Sequence, residues 1–464
     1  MLHKLFHPES VAIVGASNDP GKIGNVILKN LISSGYRGSI FPVNPSQDEI
    51  MGLKCYPDLK SIGHSIDLCV IAIPARSSVA VVQDCVSLNV PFIVMIPGGF
   101  AETGKDGKAL QDRISSLIEG TETRIVGPNT VGIYVPGSGL NTTLTPTDRV
   151  QFPPAGNIAF ISQSGALGLL TMDTISEFET GIHSFINVGN RSDLDELDIL
   201  KYLASRSEVK GIALYLESIP RGNDFFRIMK TAVQSKPIVI LKSGRTETAA
   251  KAALLHTASM ATDDRVTEGI FRQLGIVRAQ NETELMDFTR TLSYSRNAHG
   301  NRVAVVTSAG GVGVVTTDLL SLPAHPDLKM AEFSERTKDE IRKLIVAFGS
   351  VQNPVDITAD GSVSQVNDIL AILNEADEVD LIILYALPQT PKMTMDLVDV
   401  AVKWQRSGKP LLVGVLGFKE AKGMLLSLEQ QHVPSFPSIS RTVRSAEALA
   451  KYSFYMRRMK DAAV

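Results

Sequence analysis

Cysteine is scarce in this chain: Cys55, Cys69 and Cys85 are the only three among 464 residues. The count is odd and no two form a CxxC pair. This argues against a disulfide framework and a structural zinc site, and it points to a reducing compartment, the cytoplasm. The eight histidines, His183 and His432 among them, show no HxH or HExxH spacing, so no metal site is expected. An excess of one charge is also missing. The formal net charge is -3, which gives neither a nucleic-acid nor a polybasic-membrane signal. No uninterrupted apolar run approaches the roughly 18–20 residues a membrane span needs. The opening MLHKLFHPES lacks the apolar stretch of a signal peptide. Glycine and proline, 36 and 23 in number, fall short of a disordered or collagen-like composition.

What is present is an ordinary globular composition, 44% apolar and 20% charged. At about 100–200 residues per domain the length predicts about two to four domains. Short apolar runs alternate with helix-length amphipathic stretches along nearly the whole chain, the pattern of parallel α/β domains. Residues 1–150 carry the strand candidates SVAIVGA, SIFPV, LCVIAIP, FIVMIP and RIVG, and read as a Rossmann-like unit. Cys69 lies in the third run and reads as a packed strand residue. Residues 151–296 carry NIAFIS, SFINVG, GIALYLES and PIVILKSG. After a polar linker, residues 302–464 open on RVAVVTSAGGVGVV and continue with LIILYAL and PLLVGVL. The last two segments share one grammar and predict two flavodoxin-like units.

Three turns join a strand to a helix. The first, GASNDPGKIG, holds Gly15, Gly21 and Gly24 and suits a phosphate at a helix N-terminus. It is either a plain tight turn or a nucleotide-type site, and an NAD-dependent dehydrogenase built on it is a competing reading that the next strand argues against. The second strand ends in Val43, Asn44 and Pro45, where a ribose-binding acid would be needed. The second turn, ISQSGALG, lacks the GxSxG of a hydrolase elbow, because Ser162 stands two residues before Ser164. Ser162, Gln163, Ser164 and Gly165 read as an anion cradle or as a helix cap. In the third turn, Ser308, Ala309, Gly310, Gly311 and Gly313 let a ligand approach the backbone closely. Alone this signal is weak. Beside the second turn it predicts two helix N-termini aimed at one phosphate.

Residues 251–264, KAALLHTASMATDD, set a single histidine, His256, among small residues. Glu217 ends the strand GIALYLES, where α/β sheets place ligands. A neutral imidazole attacks phosphorus through one nitrogen while a carboxylate holds its other N–H. An isolated loop histidine and a surface acid would carry no function. Together with two cradles, the pair reads as a phosphohistidine relay.

The motifs PESVAIVGASNDPGKIG, FPVNP, GLKCYPDL, PGGFAETG, GPNTVGIY, ISQSGALG, KSGRTETAAKAALLHTASMATDD and NPVDIT run the length of the chain. On them the sequence resembles the α subunit of ADP-forming acetyl-CoA (acyl-CoA) synthetases, in the succinyl-CoA synthetase superfamily. The resemblance implies a CoA-binding first domain that uses Gly15, Ala16, Ser17, Gly21, Lys22 and Gly24. It adds Val43, Asn44, Pro45, Ile73, Pro74 and the Gly98, Gly99, Phe100 loop, with Asn129 near the thioester. It implies that the Ser162–Gly165 and Ser308–Gly313 helix starts hold phosphate, that His256 is phosphorylated and that Glu217 is its partner. It further implies reversible conversion of acyl-CoA, phosphate and ADP to acid, CoA and ATP. ADP/ATP and Mg²⁺ would sit mainly on a separate ATP-grasp β subunit, in an α2β2 assembly. The chain departs from the family loop SHTGSLAG at Leu255, Ala258 and Thr262, and Ser46 and Gln47 replace a lysine after VNP. Lys22 or Lys54 is then the candidate CoA-phosphate contact. A CoA-binding regulatory subunit without turnover is the alternative these departures leave open.

Overall fold

The computed structural model describes residues 2–246, 248–249, 263–322, 328–417 and 419–461. The chain divides into two compact units, residues 1–177 with 181–270 and residues 178–180 with 271–464. Among the described residues no helix is long and apolar enough to cross a membrane.

The first unit opens with five strands: β1 Ser10–Val14, β2 Ser39–Val43, β3 Leu68–Ile71, β4 Phe92–Met95 and β5 Arg124–Val126. They form a parallel sheet in the order β2-β1-β3-β4-β5. Every residue of β1, β3 and β4 is buried, as expected of strands covered on both faces. Helices α1 Ile23–Ser33, α2 Ala75–Ser87 and α3 Lys105–Ile118 lie between the strands in sequence. α1 stops before Gly35, whose φ of 73° supplies a left-handed helix end. Val82 of α2, Phe100 and Ile114 of α3 pack on Ala12, Ile71 and Ile93 of the sheet. The chain steps from β1 outward to β2 and then back across to β3. The crevice at the carboxyl ends of β1 and β3 is therefore the topological switch point, the usual ligand position in an open parallel sheet.

A second sheet in this unit contains β6 Ile133–Val135, β7 Leu140–Asn141, β8 Ala155–Ser162, β9 Ile182–Asn187, β10 Gly211–Leu216 and β11 Ile238–Lys242. Their order is β11-β10-β8-β9-β6-β7. β11, β10, β8 and β9 run parallel, while β6 runs antiparallel to β9 and to β7. β6 and β7 precede residue 150 in sequence yet belong to this second sheet. Ile133 and Tyr134, both buried, cover the edge of β9 that would otherwise stay open. Helices α4 Gly165–Ser176, α5 Glu196–Ala204 and α6 Gly222–Ser235 lie between its strands in sequence. The side chain of Asp195 caps α5 in a reciprocal box with Asp198.

The second unit repeats the parallel grammar: β12 Arg302–Thr307, β13 Lys329–Met330, β14 Val355–Asp356, β15 Leu381–Ala386, β16 Leu411–Val415 and β17 Ser435–Phe436. The order is β13-β12-β15-β16-β17, with β14 also on β12. α7 Glu282–Tyr294 belongs to this unit, and ion pairs to α9 Ile439–Asp461 explain why. Arg441 grips Asp287 at 2.7 and 2.8 Å, and Arg444 reaches Glu284 at 3.0 Å. Arg290, also on α7, is buried against Glu429 at 2.7 Å. Between α7 and α9 in sequence, α8 Gly310–Ser321 follows β12 directly.

Candidate functional site

The turn after β1 is built by close approach. Gly15 has a φ of 94°, and a Cβ there would lie 2.7 Å from the carbonyl of Ala72. A Cβ on Gly24 would lie 1.9 Å from the carbonyl of Gly15, so only glycine lets α1 begin against the turn. Lys22 is the N-cap of α1 and makes no side-chain cap bond. A cavity of about 640 Å³ opens at the switch point, within the range of roughly 300–1,000 Å³ typical of small-ligand clefts. Of the residues read from sequence, Gly15, Ser17, Lys22 and Val43 line it, as do Asn44, Pro45, Ile73 and Pro74. Ala16 is buried, Gly24 is packed against Gly15, and Gly21 is exposed; none of the three is on the wall. Sequence reading missed Asp58, Leu59, Ser77, Val81 and Asp84, which also line the cavity. Of the two lysines considered, Lys22 faces the cavity, whereas the Lys54 ammonium lies 4.9 Å above the Tyr56 ring. Asn44 uses its side chain to donate to the carbonyl of Ala16 and to accept from the amide of Ser46. It therefore braces the loop where a dinucleotide site would present an acid.

The Gly98–Phe100 loop and Asn129 meet each other away from that cavity wall. A Cβ on Gly98 would lie 3.2 Å from Asn129 Oδ1. Asn129 has a left-handed φ of 58° after the cis Gly127–Pro128 bond. Its Nδ2 donates to Asn190 Oδ1 at 3.3 Å, and Asn190 Nδ2 donates to Glu102 Oε2 at 2.5 Å. Glu102 Oε1 in turn accepts from the amides of Gly99 and Phe100 at 2.6 and 3.1 Å. Burial pushes the Glu102 pKa up, but the bonds from Asn190 and the loop amides outweigh it and hold the carboxyl below its ordinary value. The two amides already have an acceptor, so this loop offers a ligand its shape more than its donors.

The Ser162–Gly165 turn sits at the carboxyl end of β8 and opens α4. Ser164 Oγ accepts from the Leu167 amide at 3.4 Å, a conventional cap. Ser162 Oγ donates to the Ser164 carbonyl at 2.6 Å, and Asn187 from β9 donates to the Ser162 carbonyl at 2.9 Å. Gln163 ties the turn to the neighbouring strand. Its Oε1 accepts from the amides of Glu217 and Ser218 at 2.7 and 3.1 Å, and its Nε2 donates to the Ser218 carbonyl. Glu217 is thus held at the end of β10 beside the start of α4. Lys242, at the end of β11, donates to the Glu217 carbonyl at 2.9 Å. Two more ionic groups lie in this cluster, and the sequence reading missed both. Arg191, in the loop after β9, donates to Ser218 Oγ at 3.0 Å and to Glu196 Oε1 at 3.5 Å. Glu196 is 2% exposed, and its Oε2 has no hydrogen-bond partner among the described residues. Burial raises its pKa against the opposing pull of Arg191.

The third turn lies in the second unit. α8 begins behind Ala309, which cannot cap it, and Ser308 Oγ is buried with no hydrogen-bond partner among the described residues. A Cβ on Gly310 would lie 2.9 Å from Asp356 Oδ2, so a carboxylate already stands at this helix start. A Cβ on Gly313 would touch Pro354 at 3.1 Å, whereas one on Gly311 would meet open space. His256 and the departures at Leu255, Ala258 and Thr262 lie outside the described residues. The chain enters that stretch from β11, whose Lys242 pairs with Leu216 of β10, next to Glu217.

Three family models match consecutive parts of the chain. They are a CoA binding domain at residues 9–136, a succinyl-CoA ligase like flavodoxin domain at 155–292 and a ligase-CoA domain at 303–458. The chain is 34% identical to the α subunit of ADP-forming acetate–CoA ligase I of Pyrococcus furiosus, over 99% of each chain. It is 33% identical to ADP-forming acetate–CoA ligase I of Archaeoglobus fulgidus, over 97% of this chain and 64% of that protein. Among solved structures, an acetyl-coenzyme A synthetase of Ca. Korarchaeum cryptofilum in complex with phosphate and ADP superposes with a TM-score of 0.89. It is 35% identical and covers 100% of this chain and 99% of that one.

Proposed function

We propose a reaction for this chain from one premise: it belongs to the α-subunit family of the ADP-forming acetate–CoA ligases, which are acid–thiol ligases. In the proposed reaction, phosphate attacks the carbonyl carbon of an acyl-CoA. The C–S bond breaks, CoA leaves as thiolate and an acyl phosphate remains. The neutral imidazole of His256 then attacks phosphorus, and the carboxylic acid departs as carboxylate. The phosphoryl group passes from His256 to ADP. Every step is reversible.

The observation that carries this reading is Glu217 at the carboxyl end of β10, fixed through Gln163 to the start of α4. A carboxylate there accepts the imidazole N–H and stabilises the charge that develops as the ring takes phosphorus. The first N–H groups of α4 have no intrahelical acceptor, which suits them to phosphate oxygens. We assign the CoA nucleotide to the switch-point cavity, with Lys22 at a CoA phosphate, and the thioester to the neighbourhood of Asn129. The Ser308–Gly313 turn is assigned as a further phosphate-binding turn. Residues 1–150, 151–296 and 302–464 are read as the CoA-binding domain and two flavodoxin-like domains.

The nucleotide step is assigned to an ATP-grasp partner subunit in an α2β2 assembly, in the cytoplasm. Relatives named α subunits match this chain over nearly their full length, whereas the Archaeoglobus ligase is about half as long again. Mg²⁺ bound with ADP on that partner would neutralise the transferred charge. The relatives carry ligase names, and nothing in the comparisons supports a regulatory subunit without turnover.

The test uses the chain with its partner subunit, acetyl-CoA and then other acyl-CoAs, and labelled phosphate. Acid-labile label is expected on the chain. It should vanish in His256→Ala and fall by about 10²-fold or more in its rate of appearance in Glu217→Gln. Label that persists in His256→Ala would overturn the relay.

A further inference from the structure

Three parallel strands, β9, β8 and β10, end side by side, and each contributes to one polar cluster: Arg191 and Glu196 after β9, Gln163 after β8, Glu217 and Ser218 after β10. Two of these side chains are carboxylates, and the proposed ligand is a phosphate dianion. Such a site needs positive charge beyond what one helix start supplies, equivalent to about half an elementary charge. Lys242 turns its ammonium to two carbonyls, those of Glu217 and Ser243. Arg191 is held differently. Its contacts are a neutral hydroxyl, Ser218 Oγ at 3.0 Å, and one oxygen of Glu196 at 3.5 Å, too long for a strong ionic bond. A guanidinium carries five N–H donors in a rigid fork matched to phosphate, and these two bonds leave most of the fork unused. The backbone at Arg191 is left-handed, φ 59°, a conformation that costs a non-glycine residue energy and recurs where a side chain must be aimed.

Glu196 explains the aim. It is a nearly fully buried carboxylate whose Oε2 has no partner among the described residues. Burying an acid so incompletely paired is costly, and the charged group that offsets it is Arg191, with lesser help from its own amide and the Gln163 side chain. We propose that Arg191 meets the charge of the phosphate at the start of α4, and that Glu196 is the positioning residue that holds its guanidinium there. On phosphate binding Arg191 exchanges the Ser218 hydroxyl for phosphate oxygens and keeps Glu196 behind it. This inference rests on the ligase reading and adds to it a determinant of phosphate affinity.

The experiment is steady-state turnover by the chain with its partner subunit, varying phosphate and acyl-CoA separately. Arg191→Gln is expected to raise the KM for phosphate by about 10- to 100-fold while the KM for acyl-CoA stays unchanged. Arg191→Lys should recover part of the loss, since it restores charge without the fork. Glu196→Gln, nearly isosteric, should raise the phosphate KM less than Arg191→Gln. An unchanged phosphate KM in Arg191→Gln overturns the inference, and so does an equal rise in both KM values. If Arg191→Gln does not fold, an unchanged phosphate KM in both Arg191→Lys and Glu196→Gln overturns it. A wild-type complex that turns over with phosphate while these variants match it refutes only this inference. A wild-type complex with no phosphate-dependent turnover on any acyl-CoA removes the ligase reading and this inference with it.

Discussion

The two small-residue turns, before α4 and before α8, share one pattern in sequence and differ in what surrounds them. Before α4 the serine at the cap position does the capping, and the nearest obstacle to a larger residue at Gly165 is apolar, Val131. Charges of both signs stand one strand away. Before α8 the cap position is alanine, a serine hydroxyl is buried without a partner among the described residues, and Asp356 already approaches the helix start. A carboxylate at a helix N-terminus satisfies the positive end that an incoming anion would otherwise use. Two turns of similar pattern in sequence are therefore differently furnished for an anion. The first is finished and charged, whereas the second keeps an unpaired hydroxyl beside an acid.

Substitution at the leading glycines should break this contrast most strongly. A Cβ at Gly165 would lie 2.3 Å from Val131 Cγ1, whereas one at Gly310 would meet the carboxylate of Asp356 at 2.9 Å. Gly165→Ala is expected to cost about 1–3 kcal/mol in urea or thermal unfolding. Gly310→Ala should cost less than about 1 kcal/mol, because a side-chain oxygen yields more easily than a packed branch. Equal losses would show that the two turns are packed alike.

The serines give the next effect. Ser164→Ala removes a cap and should cost about 1 kcal/mol. Ser308→Ala removes a buried hydroxyl with no partner among the described residues and should be neutral or slightly stabilising without ligand. With phosphate added, Ser308→Ala should gain less thermal protection than the parent chain. A Ser308→Ala variant destabilised as much as Ser164→Ala would mean the hydroxyl already has a partner.

The smallest effect is in pH dependence. The native pKa of Glu196 is raised above the ordinary 4.5, first by burial. Between the ordinary value and the native one, the folded chain holds this proton while the unfolded chain has released it. Stability from this group therefore falls as pH rises through that window. Glu196→Gln keeps the neutral form at all pH, so its stability relative to the parent should improve as pH is raised above 4.5. A difference that stays constant with pH would show that burial does not govern this carboxyl.

Positions that depend on local chain geometry were legible in the sequence. Gly15, Lys22, Val43–Pro45 and Ile73–Pro74 follow apolar runs directly, and a strand that ends in a turn before a helix delivers them to the sheet's carboxyl edge. Ser162–Gly165 and Glu217 were legible for the same reason. Cys69 was read as a packed strand residue and is fully buried on β3. Arg191, Glu196, Asn190 and Glu102 were not legible. Arg191 bonds to Ser218 and Asn190 to Glu102, residues far away in the chain, and Glu196 joins the cluster through Arg191, five residues before it; which strand lies beside which is a property of sheet order that no spacing encodes. The run GNRSDLDE after a strand, with both charge signs at a sheet edge, was the available signal. β6 and β7 were missed because they are short, three and two residues, and their pairing is set by the open edge of β9.

The three thiols of the first unit have a consequence for a protein of this family. Cys55, Cys69 and Cys85 are all buried, and burial raises the pKa of Cys55, while Cys85 is raised first by its bond with Cys69 and then by burial. Thiol–disulfide exchange proceeds through accessible thiolates. A catalyst that handles free CoA at its surface thus keeps its own sulfur out of mixed disulfides with it. A colorimetric thiol reagent added to the native protein should accordingly report the coenzyme it releases and not the polypeptide.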